Sequence, residues 1–144
     1  MLGYTSGTSG SPRGAMLSHR ALLANVEQCA SLRPAPVTAG DRVLLALPLF
    51  HVYGLGPGLL QVAGAGATAV LLERFDPDQA LTAIREHRVT TLVGVPPMYA
   101  AILAQPVDRL RADLATVRLF TSGAAPLAAG LLDAMRDAVG LPVY

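Results

Sequence analysis

Cys29 is the one cysteine in 144 residues, so no internal disulfide can form and the fold must be held by packing. Charge of one sign is also missing. Eleven basic side chains face ten acidic ones, a net charge of +1, which removes any bulk electrostatic case for nucleic acid or an anionic membrane surface. No charged start followed by an apolar core opens the chain; no signal peptide is read, and a cytoplasmic location is expected. Repeats, low-complexity tracts, charge blocks and internal boundaries are absent too. Val43 to Leu72 carries no Asp, Glu, Lys or Arg and is long enough to span a bilayer, yet Pro48, Pro57, Gly54, Gly56, Gly58, Gly64 and Gly66 interrupt it. A buried strand, a loop, a helix and a second strand account for it, so no transmembrane span is expected.

With 52% hydrophobic and 15% charged residues, the chain can bury a substantial core as one domain. Ser18 is placed to cap a helix carrying Leu22, Val26 and Cys29 on one face, closed by Pro34 and Pro36. Val43 to Leu47 reads as a strand covered on both faces. Asp76, Pro77 and Gln79 form a strong helix start, with Ala80, Leu81 and Ile84 facing the core. Thr90 to Val95 and Val117 to Phe120 are further strands, followed by helices from Pro96-Pro97 and from Leu127, the last ended by Gly140 and Pro142. Strand and helix patterns alternate throughout, which predicts an α/β fold with a layered sheet of parallel βαβ units. Gly64 to Ala69 formally matches a dinucleotide fingerprint, but the strand follows these glycines instead of preceding them, and the match is rejected.

The most informative stretch is Tyr4 to Gly14. Gly7 and Gly10 let backbone N–H groups converge on an anion, Thr5, Ser6, Thr8, Ser9 and Ser11 add hydroxyl donors, and Arg13 supplies a planar cationic fork. This composition suits phosphate. It is neither a Walker A loop nor a nucleophile elbow.

The stretch resembles the signature loop Tyr-Thr-Ser-Gly-[Ser/Thr]-Thr-Gly-x-Pro-Lys-Gly of the AMP-forming adenylate synthetase superfamily, departing from it at Ser9 and Arg13. Pro48-Leu49-Phe50-His51 resembles that family's second motif, and Ser122-Gly123-Ala124-Ala125-Pro126-Leu127 its third. The resemblance implies that residues 1–144 are a partial AMP-binding domain, part of the large N-terminal domain of an acyl-CoA synthetase. It implies ATP or AMP, Mg²⁺ and CoA as cofactors and a small carboxylate as substrate, fatty acyl by analogy. Thr5, Ser6, Gly7, Thr8, Ser9, Gly10 and Arg13 would hold the β- and γ-phosphates, with Thr5 able to reach Mg²⁺. Gly123, Ala124, Ala125 and Pro126 would flank adenine, while His51, Gly94, Val95 and Pro96 would border the acyl group. The resemblance places the catalytic lysine and metal-binding glutamate of the family outside these residues, so little activity is expected of the chain alone. The missing remainder of a synthetase, or self-association through exposed edges, is the expected partner. A non-catalytic remnant that binds nucleotide or a partner is the alternative.

Overall fold

The computed structural model describes residues 1–5, 7 and 10–144. The apolar run after Asp41 forms β3 (Arg42–Leu45), paired in parallel on one side with β4 (Thr68–Leu71) and on the other with β5 (Thr91–Gly94); β5 pairs in parallel with β6 (Leu119–Ser122). The first two strands of the chain, β1 (Leu2–Tyr4) and β2 (Gly14–Met16), form a separate antiparallel pair. The main sheet has the order β4-β3-β5-β6. Its winding direction therefore reverses between β3 and β5, and a doubly wound sheet leaves its ligand crevice beside the carboxyl ends of such strands. Val143 lies in parallel beside Phe120, and Tyr144 exchanges backbone hydrogen bonds with Phe120 and Ser122, extending the β6 edge.

Side chains alternate across the sheet and fill two cores. On one face Leu44, Leu92 and Phe120 pack against α3 (Pro77–His87), α4 (Pro96–Leu103), α5 (Val107–Asp113) and α6 (Ala129–Val139) through Leu81, Ile84, Tyr99, Ile102, Leu110 and Met135. Tyr99 and Phe120 meet edge to face, with ring centroids 6.1 Å apart. On the other face Val43, Leu45 and Val93 pack with Val37, Val62 and Tyr53.

The caps fall where the sequence puts them. Ser18 Oγ accepts from Ala21 N at 3.1 Å and opens α1 (His19–Ala30), and Asp76 Oδ1 accepts from Gln79 N at 2.9 Å. The face expected of α1 is only half-buried, because this helix lies over other helical turns, with Val26 against Gly64, and not directly on the sheet. Gly54–Leu60 is a π-helical segment with Pro57 inside it, and α2 (Gln61–Ala65) continues from it. In an α-helix the proline ring would clash with the carbonyl four residues back; the wider turn gives it room. α5 was not anticipated. Its Asp113, 3% exposed, accepts from Arg85 at 3.1 Å and from Arg109 at 3.3 Å, fastening it to α3.

Asp41 ties the amino-terminal edge of the sheet. It accepts from Thr38 N at 2.7 Å, Thr38 Oγ1 at 2.8 Å, Thr90 Oγ1 at 2.6 Å and Arg118 Nε at 2.7 Å, and pairs with Arg118 Nη2 as well. Burial alone would raise the Asp41 carboxyl. The Arg118 guanidinium and the Thr90 and Thr38 donors outweigh it and hold the carboxyl well below the usual range.

Candidate functional site

The stretch from Thr5 to Arg13 joins β1 to β2, so a strand and not a helix follows it. The ladder continues past Tyr4: Thr5 N donates to Arg13 O at 2.9 Å and Arg13 N to Thr5 Oγ1 at 3.2 Å. No helix can begin until the Ser18 cap. Gly7 turns the chain at φ 68°, where a Cβ would stand 2.6 Å from Gly10 O and 2.7 Å from Pro12 N, so only glycine fits. Gly10 N donates to Gly7 O at 2.9 Å. Thr5, Gly10, Ser11, Pro12 and Arg13 are exposed, and the Arg13 guanidinium makes no ion pair among the described residues. Ser6, Thr8 and Ser9 lie outside the described residues. The hairpin joins neither edge of the four-stranded sheet.

The other predicted segments meet at the carboxyl ends of β5 and β6. Gly123 N donates to Gly94 O at 3.3 Å, linking the loop after β6 to the end of β5. Val95 precedes α4, and Pro96 is its first residue. Ala124, Ala125 and Pro126 are exposed, and Ala124 holds φ 62°, a left-handed conformation that costs a non-glycine residue about 1–2 kcal/mol. The ring of Tyr53 lies directly on Gly123, where any Cβ would overlap it. Burial raises the Tyr53 phenol above the ordinary value, and the neighbouring Thr121 side chain opposes the shift. From the opposite core the Tyr99 hydroxyl donates to Thr121 O at 2.6 Å; burial raises this phenol further, and the neighbouring Tyr53 adds to the effect.

His51 is exposed in the loop between β3 and the π-helical segment and is not part of the cavity lining. Its Nδ1 accepts from Tyr53 N at 3.1 Å, so the neutral ring carries its proton on Nε2. A cavity of about 340 Å³ is lined by Arg33, Tyr53, Pro57, Gln61, Val93, Thr121 and Tyr144, with α1 and the Pro34–Pro36 loop at its far side. Its wall is Tyr53 where the motif pointed to His51, and its floor is Val93 where the motif pointed to Gly94 and Val95. Tyr53 and Gln61 were missed. The spacing Tyr53, Pro57, Gln61, four residues apart on a helical segment, is the signal that marks them as one face. Such an arrangement offers a largely apolar pocket next to the strand end that carries Gly123.

The family model described as AMP-binding enzyme matches residues 1–144. Feruloyl-CoA synthase of an Amycolatopsis species is 41% identical over 137 residues, covering 95% of this chain and 27% of that protein. 4-Coumarate–CoA ligase 2 of Oryza sativa subsp. japonica is 41% identical over 137 residues, covering 94% of this chain and 24% of that protein. Among solved structures, ATP-bound MatB from Rhodopseudomonas palustris superposes with a TM-score of 0.89 at 36% identity, over 99% of this chain and 27% of that one. The chain thus spans about a quarter of the length of the relatives it matches.

Proposed function

The chain belongs to the AMP-binding enzyme family of CoA ligases, and from that premise we propose that it forms the phosphate-holding and acid-holding part of an AMP-forming CoA ligase, a partial AMP-binding domain over residues 1–144. The reaction proposed for the whole enzyme joins a carboxylate to the α-phosphorus of ATP with release of pyrophosphate, then passes the acyl group from AMP to the thiol of CoA. This chain's part is positioning and charge stabilisation. The loop from Thr5 to Arg13 holds the β- and γ-phosphates, Gly123 to Pro126 flank adenine, and the acid lies in the cavity with Gly94, Val95, Pro96 and His51 around its mouth. The observation that carries this reading is the seating of Tyr53 on Gly123, which joins the second and third motifs directly above the cavity.

No three acidic, histidine or cysteine side chains cluster among the described residues. Mg²⁺ would reach this chain through the nucleotide's own phosphate oxygens, with the exposed Thr5 hydroxyl as the proposed protein ligand. No residue here is assigned as nucleophile, general base or catalytic lysine, so little adenylation is proposed for the chain by itself. Fatty and aromatic acids are both apolar enough for the cavity; the names of the relatives favour the aromatic class. No helix among the described residues is long and apolar enough to cross a membrane, and a cytoplasmic location is proposed.

The test is calorimetry with ATP and AMP on the purified chain, alongside carboxylate-dependent pyrophosphate exchange. Binding of both nucleotides with negligible exchange is expected. Robust exchange would overturn the assignment of catalysis to groups outside the chain, and binding of neither nucleotide would overturn the site.

A further inference from the structure

A proline inside a helix has no N–H to give, and its ring meets the carbonyl four residues back. For Pro57 that carbonyl belongs to Tyr53, the residue whose ring lies on Gly123. The segment Gly54–Leu60 escapes the conflict by pairing five residues back instead of four, as Gln61 N does where it closes the segment on Gly56 O. In that pattern the partner of the Tyr53 carbonyl is Gly58 and not Pro57. Tyr53 O lies 3.9 Å from the point that a Cβ on Gly58 would occupy, so the two are neighbours.

The wide turn also lies directly against β3 and the loop that follows it. A Cβ on Gly54 would stand 2.4 Å from Pro48 O, and one on Gly58 would stand 3.3 Å from Leu45 Cδ2. An α-helical register over the same residues would shift the pairing by one residue. With α2 held in place, that shift turns Tyr53 by about 100°, one residue's rotation, and takes the ring off Gly123. Gly54, Gly56 and Gly58 leave both registers open to the backbone; Pro57 forbids the narrower one.

We propose that Pro57 is a positioning residue: by excluding the α-helical register it holds the π-helical turn that seats the Tyr53 ring on Gly123, and through that ring it sets the loop from Gly123 to Pro126. The effect on nucleotide binding rests on that loop flanking adenine, whereas the seating of the ring does not.

Two substitutions and two readouts test it. Pro57→Ala restores the N–H and removes the ring, while Pro57→Leu restores the N–H and keeps apolar bulk in the cavity wall. By NMR, the α-protons of Gly123 are expected upfield in the wild-type chain through the ring current of Tyr53, and Tyr53→Leu should abolish that shift. Both Pro57 variants should lose most of it while still unfolding cooperatively in urea. A wild-type chain without the shift, a folded Pro57 variant that keeps it, or failure of both variants to fold overturns the proposal, since the alternative register is an ordered helix.

By calorimetry, Pro57→Ala should weaken AMP about tenfold in the wild-type background and cause no further loss in Tyr53→Leu, because residues that act through one another are not additive. Equal losses in the two backgrounds overturn the route through Tyr53. A wild-type chain that binds no AMP overturns the nucleotide site, and the NMR arm then decides the role of Pro57 by itself. Unchanged AMP affinity in a Pro57→Ala variant that has lost the ring-current shift supports the seating and overturns its link to the nucleotide.

Discussion

The hydroxyl of Tyr99 donates a 2.6 Å hydrogen bond to the backbone carbonyl of Thr121, and so fixes from within the larger core the strand end that carries the Gly123 loop. Tyr99 is fully buried, and its removal would leave that carbonyl without this partner. Tyr99→Phe is expected to cost about 1–2 kcal/mol in urea unfolding. It should also weaken AMP binding, because the loop after Thr121 loses its anchor. A variant with lowered stability and unaltered AMP affinity would separate the tyrosine from the site.

At the other end of the sheet, Asp41 and Arg118 make the corresponding tie. Asp41 is 3% exposed while the Arg118 side chain is 36% exposed, so solvent screens the pair in part. Asp41→Ala strands a guanidinium and three other donors, and a loss toward the lower end of about 3–5 kcal/mol is expected. The folded-state pKa of Asp41 lies below its unfolded value. Its stabilising contribution is therefore complete above the unfolded pKa of about 4 and is lost as the pH falls through that region toward the folded value. Chemical denaturation between pH 7 and pH 3 should show this acid limb in the wild-type chain and a shallower one in Asp41→Asn.

Much of the fold is local chemistry and can be read along the chain. The caps at Ser18 and Asp76, the apolar run of β3 and the glycine and hydroxyl loop between Tyr4 and Gly14 each lie within a dozen residues. The features that escaped reading join distant positions. Asp41 and Arg118 are 77 residues apart, and Arg85 and Asp113 are 28 apart. α5 is short and mixed in charge, so only its ion pairs to α3 identify it. The same applies at the site. Tyr53 and Gly123 lie far apart in the chain, and only the fold seats the ring on that glycine; Gln61 turns toward the cavity from an otherwise uncharged stretch.

The left-handed Ala124 yields a prediction of opposite sign. Glycine removes the strain of φ 62° but loses more backbone entropy on folding, by roughly 0.5–1 kcal/mol. Ala124→Gly is accordingly expected to stabilise the chain by up to about 1 kcal/mol in thermal or urea unfolding. A destabilised variant would mean that the methyl group makes contacts worth more than the strain.

Gly123→Ala tests the seat of Tyr53. The added methyl would overlap the ring, so Tyr53 must shift toward the cavity or the loop must lift from β5. Overpacking of this kind costs about 1–3 kcal/mol. Binding of both AMP and an aromatic carboxylic acid should fall at least tenfold, because either displacement disturbs the junction they are proposed to share. Loss of stability with both affinities retained would show that the junction serves packing alone.

Apolar side chains on the amino-terminal hairpin and near His51 stand in solvent: Met16 is 87% exposed, Tyr4 72% and Phe50 93%. Tyr4 and Met16 belong to a two-stranded pair outside the main sheet, an arrangement only marginally stable by itself. Concentration-dependent association of the isolated chain is therefore expected in sedimentation. Tyr4→Ser with Met16→Ser should reduce it, and a monodisperse monomer across a hundredfold concentration range would remove self-association from consideration.

Arg13 offers the sharpest test of the phosphate loop. Its planar fork can bind two phosphate oxygens at once, and its exposed position leaves it available to do so. Because the loop is proposed to hold the β- and γ-phosphates, Arg13→Ala should weaken ATP roughly 10- to 100-fold and AMP hardly at all. Arg13→Lys should recover part of the loss through charge without restoring the bidentate geometry. Raising the salt from 0.05 to 0.5 M should narrow the gap between wild type and Arg13→Ala, since a solvent-exposed contact is screened. Equal losses for ATP and AMP would move the arginine away from the outer phosphates, and no loss for either would leave the loop without its cationic contact.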